Sequence, residues 1–117
     1  MRTRDFRDYL KDILDAINEV EVFIRGLSYD HFRDDRKTVN AVVRSIEVIG
    51  EASKRVPRAI RDKHREVPWR KMAGMRDKLI HEYFGIDLEI LWKAANEDIP
   101  ALKLPIEGIL NGLGNRF

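Results

Sequence analysis

The chain of 117 residues has no cysteine, which excludes a disulfide scaffold, a cysteine-liganded zinc finger and a thiol nucleophile. Long apolar runs are missing too. None approaches the roughly 20 residues that a membrane-spanning helix needs, so no membrane partner is expected. Strand signals are nearly absent, with no alternating stretch and no Asn-Gly or Asp-Gly hairpin between β-branched runs. A large excess of one charge is also lacking: 22 Lys and Arg stand against 20 Asp and Glu, net +2. The opening, Met1-Arg2-Thr3-Arg4-Asp5-Phe6-Arg7-Asp8, carries no apolar signal segment and, with the missing cysteines, points to the cytoplasm. What remains is 44% hydrophobic and 36% charged residues, the make-up of one folded domain with one core rather than a disordered chain.

Apolar residues recur at helical spacing. Phe6, Leu10, Ile13, Ile17, Val20 and Ile24 follow intervals of four and three, which places them on one stripe of a helix. Gly26 suits the stop of that helix. Ser28 and Asp34 are both candidate caps for the next. Its stripe runs Val39, Val42, Val43, Ile46, Ile49 and Ser53, and Pro57 forces an end near Val56. A short basic turn from Pro57 to Lys63 follows. Pro68 opens a third long helix and Gly85 ends it. Asp87 caps a fourth, with Leu88, Leu91 and Trp92 inward, and Pro100 opens a last one toward Leu110, with a kink or restart at Pro105. The expected architecture is an all-α antiparallel bundle of four to five helices over residues 1–110, with residues 111–117 as a flexible tail.

Charge is unevenly spread. From Lys54 to Lys71 the net charge is +6 over 18 residues, whereas from Glu82 onward it is −3. Such a basic middle attracts a polyanion, or else is a solvated connector; charge alone leaves both open.

On the third helix the spacing puts Trp69, Met72, Arg76, Leu79 and Tyr83 inward. A guanidinium on an apolar stripe must find a partner or lie in a cleft. Glu47 and Glu51 on the second helix are candidate partners, which would make Arg76 a structural residue. His81 follows five residues on, a group that titrates near neutral pH beside one that is always cationic. Cleavage of a phosphodiester by its own 2′-hydroxyl uses both: a base for the hydroxyl proton and a fixed cation for the charge on phosphorus. Residues five apart lie about 140° apart around a helix. Either the helix loosens near Ile80, or the two side chains enter a shared groove from its sides. A two-fold axis through this element would bring two such pairs to one cleft, and Gly50 and Gly74 are suited to close contact. A metal site would have to use His31, His64 and His81 with carboxylates, at a spacing that matches no familiar ligand set.

The run Ala73-Gly74-Met75-Arg76-Asp77-Lys78-Leu79-Ile80-His81-Glu82-Tyr83-Phe84-Gly85-Ile86-Asp87 resembles the signature of HepT-type toxins of the HEPN superfamily, with its Arg-x4–6-His motif. Asp35-Arg36-Lys37-Thr38 and Ile46-Glu47-Val48-Ile49-Gly50-Glu51-Ala52 match as well, so the resemblance spans roughly residues 5 to 110. It implies a helical bundle that dimerises through the motif helices, with a metal-independent endoribonuclease site between subunits and no cofactor. Arg76 would hold the scissile phosphate and His81 would be the general acid and base. It further implies a type VII toxin–antitoxin pair, in which a small MntA-type nucleotidyltransferase transfers AMP to Tyr83. An adenylyl group there would add bulk and negative charge beside Arg76 and block RNA. Transfer RNA is the substrate that family analogy suggests.

The resemblance departs at Asp77, where relatives often carry asparagine; a carboxylate there orients His81 or Arg76, or weakens phosphate binding. It departs again at Pro105, within the last helix. Arg58, Arg61, Lys63 and Arg65 are candidates to guide RNA toward the cleft through phosphate contacts. The alternative is a non-catalytic helical module that binds nucleotide or presents Tyr83 to the transferase.

Overall fold

The computed structural model describes residues 4–81 and 85–114, and for residues 80, 81, 113 and 114 the backbone alone. The first helix, α1 (Phe6–Ile24), starts where Asp5 accepts from the Arg7 amide at 2.8 Å and Asp8 reciprocates on the Asp5 amide at 3.0 Å. This closes a box over amides that have no partner within the helix. It stops at Gly26, which holds a left-handed φ of 77°. Ser28 then caps a short α2 (Tyr29–Asp34) that the spacing does not reveal. The cap of α3 (Arg36–Arg55) is Asp35, one residue past the candidate Asp34; it accepts from the Thr38 amide at 3.1 Å and from the Thr38 hydroxyl at 2.6 Å. Those hydrogen bonds, the hydroxyl's first, hold the Asp35 carboxyl below its ordinary pKa.

Pro57 ends α3 as expected, and α4 (Arg58–Lys63) is the short basic turn. After it comes α5 (Trp69–Leu79), which begins one residue beyond Pro68. The indole Nε1 of Trp69 donates to the His64 carbonyl at 3.0 Å and pins the connection to the new helix.

The core lies where α1, α3, α5 and the C-terminal helices meet, and the most extensive packing is α1 on α3, then α3 on α5. Leu10, Ile13, Ile17 and Val20 of α1 and Val39, Val42, Ile46 and Ile49 of α3 are buried, as their spacing demands. Gly50 brings α3 and α5 together: a Cβ there would meet the Met72 carbonyl oxygen at 3.4 Å and that of Ala73 at 3.5 Å. The close approach that glycine permits is thus between two helices of one chain.

The third helix ends earlier than its spacing predicts. At Leu79 the chain turns into β1 (Ile80–His81), paired antiparallel with β2 (Gly85–Ile86), His81 opposite Gly85. The Leu79 carbonyl accepts from the Asp87 amide at 2.8 Å, and Gly85 takes φ 85°. Gly85 therefore serves a hairpin rather than a helix end, since positive φ costs it little. The buried stripe of α5 is Trp69, Met72, Met75 and Leu79, so Met75 takes the inward place assigned to Arg76.

Asp87 caps α6 (Leu88–Lys93) through the Ile90 amide at 3.1 Å. The backbone then widens into a π-turn at Ala94–Asp98 and tightens to a 3-10 turn at Pro100–Leu102 before α7 (Lys103–Gly114). Pro100 explains the wide turn. It has no amide for the carbonyl four residues back and its ring crowds that carbonyl, so the Ile99 amide reaches back to Ala94 at 2.8 Å. Pro105 falls in the first turn of α7, where a missing amide costs nothing, and the helix restarts rather than kinks. Residues 111–114, read from sequence as the start of a loose tail, continue that helix. Lys103 pairs with Glu21 at 3.4 Å and Lys71 with Asp98 at 3.9 Å, linking α7 to α1 and α5 to the π-turn. Among the described residues no helix is long and apolar enough to cross a membrane.

Candidate functional site

Arg76 stands on the outer side of α5, its side chain 53% exposed. Met75, one residue before it, fills the core, and a helix turns about 100° per residue, so Arg76 is carried out of the packing. It faces α3: its Nε lies 3.8 Å from Oε1 of Glu47. Glu47 is also 4.0 Å from Nη1 of Arg44, one turn back. A half-exposed pair at this distance contributes little to stability, since water and salt screen it.

Glu47, Gly50, Glu51 and Lys54 of α3 and Ala73, Arg76 and Asp77 of α5 line one cleft of about 290 Å³. The structure thus gathers four sequence candidates, Arg76, Asp77, Glu47 and Glu51. Glu51 is 3.5 Å from Lys54 rather than paired with Arg76, so of the two candidate partners Glu47 takes the role.

His81 is placed by backbone alone, as the second residue of β1 opposite Gly85. The change from helix to strand at Ile80 removes the 140° conflict, because His81 no longer follows the helical phase set at Arg76. Tyr83 lies outside the described residues. His31 is exposed, and Nδ1 of His64 sits 3.3 Å from Glu66, well away from the α5 hairpin in sequence. Among the described residues no group of three His, Asp or Glu is arranged to hold a metal ion.

A second and larger hollow, about 1090 Å³, opens between α4 and α5. Lys54, Arg58, Arg61, Arg65, Arg70, Lys71 and Lys78 line it, with Asp62 the one carboxylate among the described lining residues. Three of the four cations singled out from the sequence are here, but Lys63 is not; it points to solvent on α4. Sequence reasoning missed Lys78, and it left Arg70 uncounted among the site residues. The signal was available: 70, 74 and 78 recur every four residues, so they share a face of α5. Lys54 and Ala73 line both hollows, which are therefore adjacent.

The architecture is that of an all-α, HEPN-like bundle, with an arginine-bearing helix leading directly into a short histidine-bearing strand. Residues 13–109 match the family HepT-like, described as Ribonuclease HepT-like, and the chain belongs to that family. A protein of Thermococcus cleftensis named "Probable ribonuclease HepT" is 53% identical over 100 residues, covering 86% of this chain and 91% of the relative. A "Putative RNase" of Methanocaldococcus jannaschii is 41% identical over 113 residues, 97% of this chain and 93% of the relative. Another of that name, from Caldanaerobacter subterraneus subsp. tengcongensis, is 44% identical over 104 residues, 89% and 93% of the two chains. No solved structure matches the chain significantly.

Proposed function

We propose that this protein is a metal-independent endoribonuclease, the toxin of a type VII toxin–antitoxin pair, acting at a composite site formed when two copies bring their motifs together. The observation that carries the reading is the cleft itself. In a chain whose relatives are named ribonucleases, a half-exposed arginine lies against Glu47, five residues before a histidine released from helical phase. The 2′-hydroxyl of the RNA attacks the neighbouring phosphorus and the 5′-oxygen leaves. One imidazole takes the hydroxyl proton and a second gives a proton to the departing oxygen, so a dimer supplies both with His81. Arg76 neutralises the charge that builds on the phosphoryl oxygens through its guanidinium. Asp77 orients one of these two side chains. A cognate nucleotidyltransferase silences the site by placing AMP on Tyr83, and transfer RNA is the first substrate to test.

The test is cleavage of total cellular RNA and of transfer RNA by unmodified protein with a chelator present. Wild-type protein is expected to leave 2′,3′-cyclic phosphate ends while His81→Ala, equally folded, leaves the RNA intact. No cleavage by folded wild type would refute the proposal and favour a non-catalytic module that presents Tyr83 to the transferase. Equal cleavage by the variant would place the chemistry elsewhere.

A further inference from the structure

We infer that the hollow between α4 and α5 is a track for an extended strand of RNA, bound through its phosphates and delivering the scissile link to Arg76. The inference rests on the ribonuclease reading but is carried by other residues. Many surface cations are paired with carboxylates of their own chain; here Arg58 lies 3.8 Å from Asp62 and Lys71 3.9 Å from Asp98. Arg61, Arg65, Arg70 and Lys78 line the same hollow and have no ion pair among the described residues. The Nε of Arg61 is also buried without a hydrogen-bond partner there. A buried donor left unpaired costs stability unless a ligand or water completes it. Four cations with no carboxylate partner among the described residues repel one another in one concavity, and a polyanion relieves that repulsion.

Gly74 is a second, independent sign. It lies in α5 between Arg70 and Lys78, and a Cβ added to it would meet nothing within 4 Å. Packing inside the chain therefore does not require a glycine there, although helical glycine is unfavourable relative to alanine. Without a side chain, the floor of the hollow stays low enough for a sugar–phosphate backbone to lie against the helix. The path has a direction as well, since Lys54 and Ala73 form the border between this hollow and the cleft of Arg76. Attack by a 2′-hydroxyl needs a line-up that a regular duplex does not offer, which is why the ligand is an extended strand.

The experiment measures binding of a single-stranded, fully 2′-O-methylated RNA 12-mer, which cannot be cleaved, across a range of salt. The wild type is compared with the triple variant Arg65→Gln/Arg70→Gln/Lys78→Gln, with Gly74→Gln and with Arg76→Ala. The three cations are exposed, so the fold survives their neutralisation. Each lost phosphate contact flattens the plot of log affinity against log salt by about 0.7, so the triple variant should lose about 2 units of slope and at least about tenfold in affinity at 0.1 M salt. Gly74→Gln should weaken binding with the slope unchanged, because it blocks without removing charge. Arg76→Ala should lose no more than one contact's share of slope.

Unchanged affinity and slope in the triple variant would overturn the assignment, as would failure of the wild type to bind the strand at low salt. So would a changed sedimentation coefficient of the triple variant, which would make the hollow a surface between protein chains. The two readings fail separately. A wild type that binds this strand with the expected slope but cuts no RNA keeps the track and loses the nuclease. One that cuts RNA, with cutting and binding indifferent to the triple variant, does the reverse.

Discussion

Replacing Arg76 by alanine should separate activity from stability, and the structure sets both magnitudes. The side chain is half exposed and meets Glu47 at 3.8 Å. A pair of this kind contributes about 0.2–1 kcal/mol net, which in a domain of this size moves the melting temperature by about 4 °C or less. As a preorganised cation beside a developing phosphorane charge, the same residue should contribute about 3–4 kcal/mol, or about 10²–10³ in kcat. Arg76→Ala should therefore melt close to wild type yet cut RNA at least about a hundredfold more slowly. Arg76→Lys should fall between them, since an ammonium keeps the charge and loses the planar fork. Glu47→Gln is the companion. It removes the carboxylate from the Nε edge, so kcat should fall a few fold with the melting temperature little changed. The assays are single-turnover cleavage of a labelled RNA and thermal unfolding by circular dichroism. Two results would refute the reasoning: an Arg76→Ala protein that still cuts at the wild-type rate, or one that loses its fold, which would make the arginine a structural tie.

The two helical glycines should respond in opposite ways. Gly74→Ala meets open space and should gain about 1 kcal/mol, raising the melting temperature by about 4 °C. At Gly50 a larger side chain collides with the Met72 and Ala73 carbonyls of α5, so Gly50→Leu should cost about 1–3 kcal/mol; equal responses at both sites would contradict the packing described. Asp35 gives a pH signature. Its carboxyl is held below the ordinary value by Thr38, so its contribution is fully present above that value and is lost as pH falls through the depressed one. Asp35→Asn should thus be less stable than wild type near neutrality, with the gap closing on acidification in urea unfolding; a gap constant from pH 7 to pH 3 would show that the carboxylate does not carry the cap.

The helical frame was legible because its signals are local and redundant. The stripes of α1 and α3, the stop at Gly26 and the cap at Asp87 each rest on residues within a turn or two of one another. The errors fall where the decisive interaction is not local. On α5, intervals of three and four fit both an inward Arg76 and an inward Met75, and the choice depended on how the Met72 turn seats against Gly50 of α3. The helix end at Leu79 depended on Asp87, eight residues away, whose amide takes the Leu79 carbonyl. A two-residue ladder gives no alternating pattern to read. The short α2 was hidden for a similar reason: six residues hold too few periods, and only its one buried residue, Phe32, against Trp92 at 4.9 Å, commits it. The cationic hollow was half legible. A run of basic residues is visible in any sequence, but whether they converge depends on α4 and α5 facing one hollow.

The layout of charge also bears on the proposed pairing of two copies. A phosphate entering it meets Arg76 and Lys54 against Glu47, Glu51 and Asp77. Each cation already lies within 4 Å of a carboxylate, so the cleft by itself is a poor place for an anion. Attraction must come from outside it, and two sources are at hand. One is the hollow on the far side of Lys54, where cations greatly outnumber carboxylates. The other, under the proposed pairing of copies, is a second Arg76. In such an arrangement the carboxylates are not an obstacle to catalysis but a condition on it. They hold Arg76 in place and keep stray anions out. The cleft then admits a phosphate when a strand is already captured next door and a second copy completes the pair. This division of labour explains how a chain of net charge +2 can act on a polyanion: the relevant quantity is the sign of the charge on each side of α5, not the total.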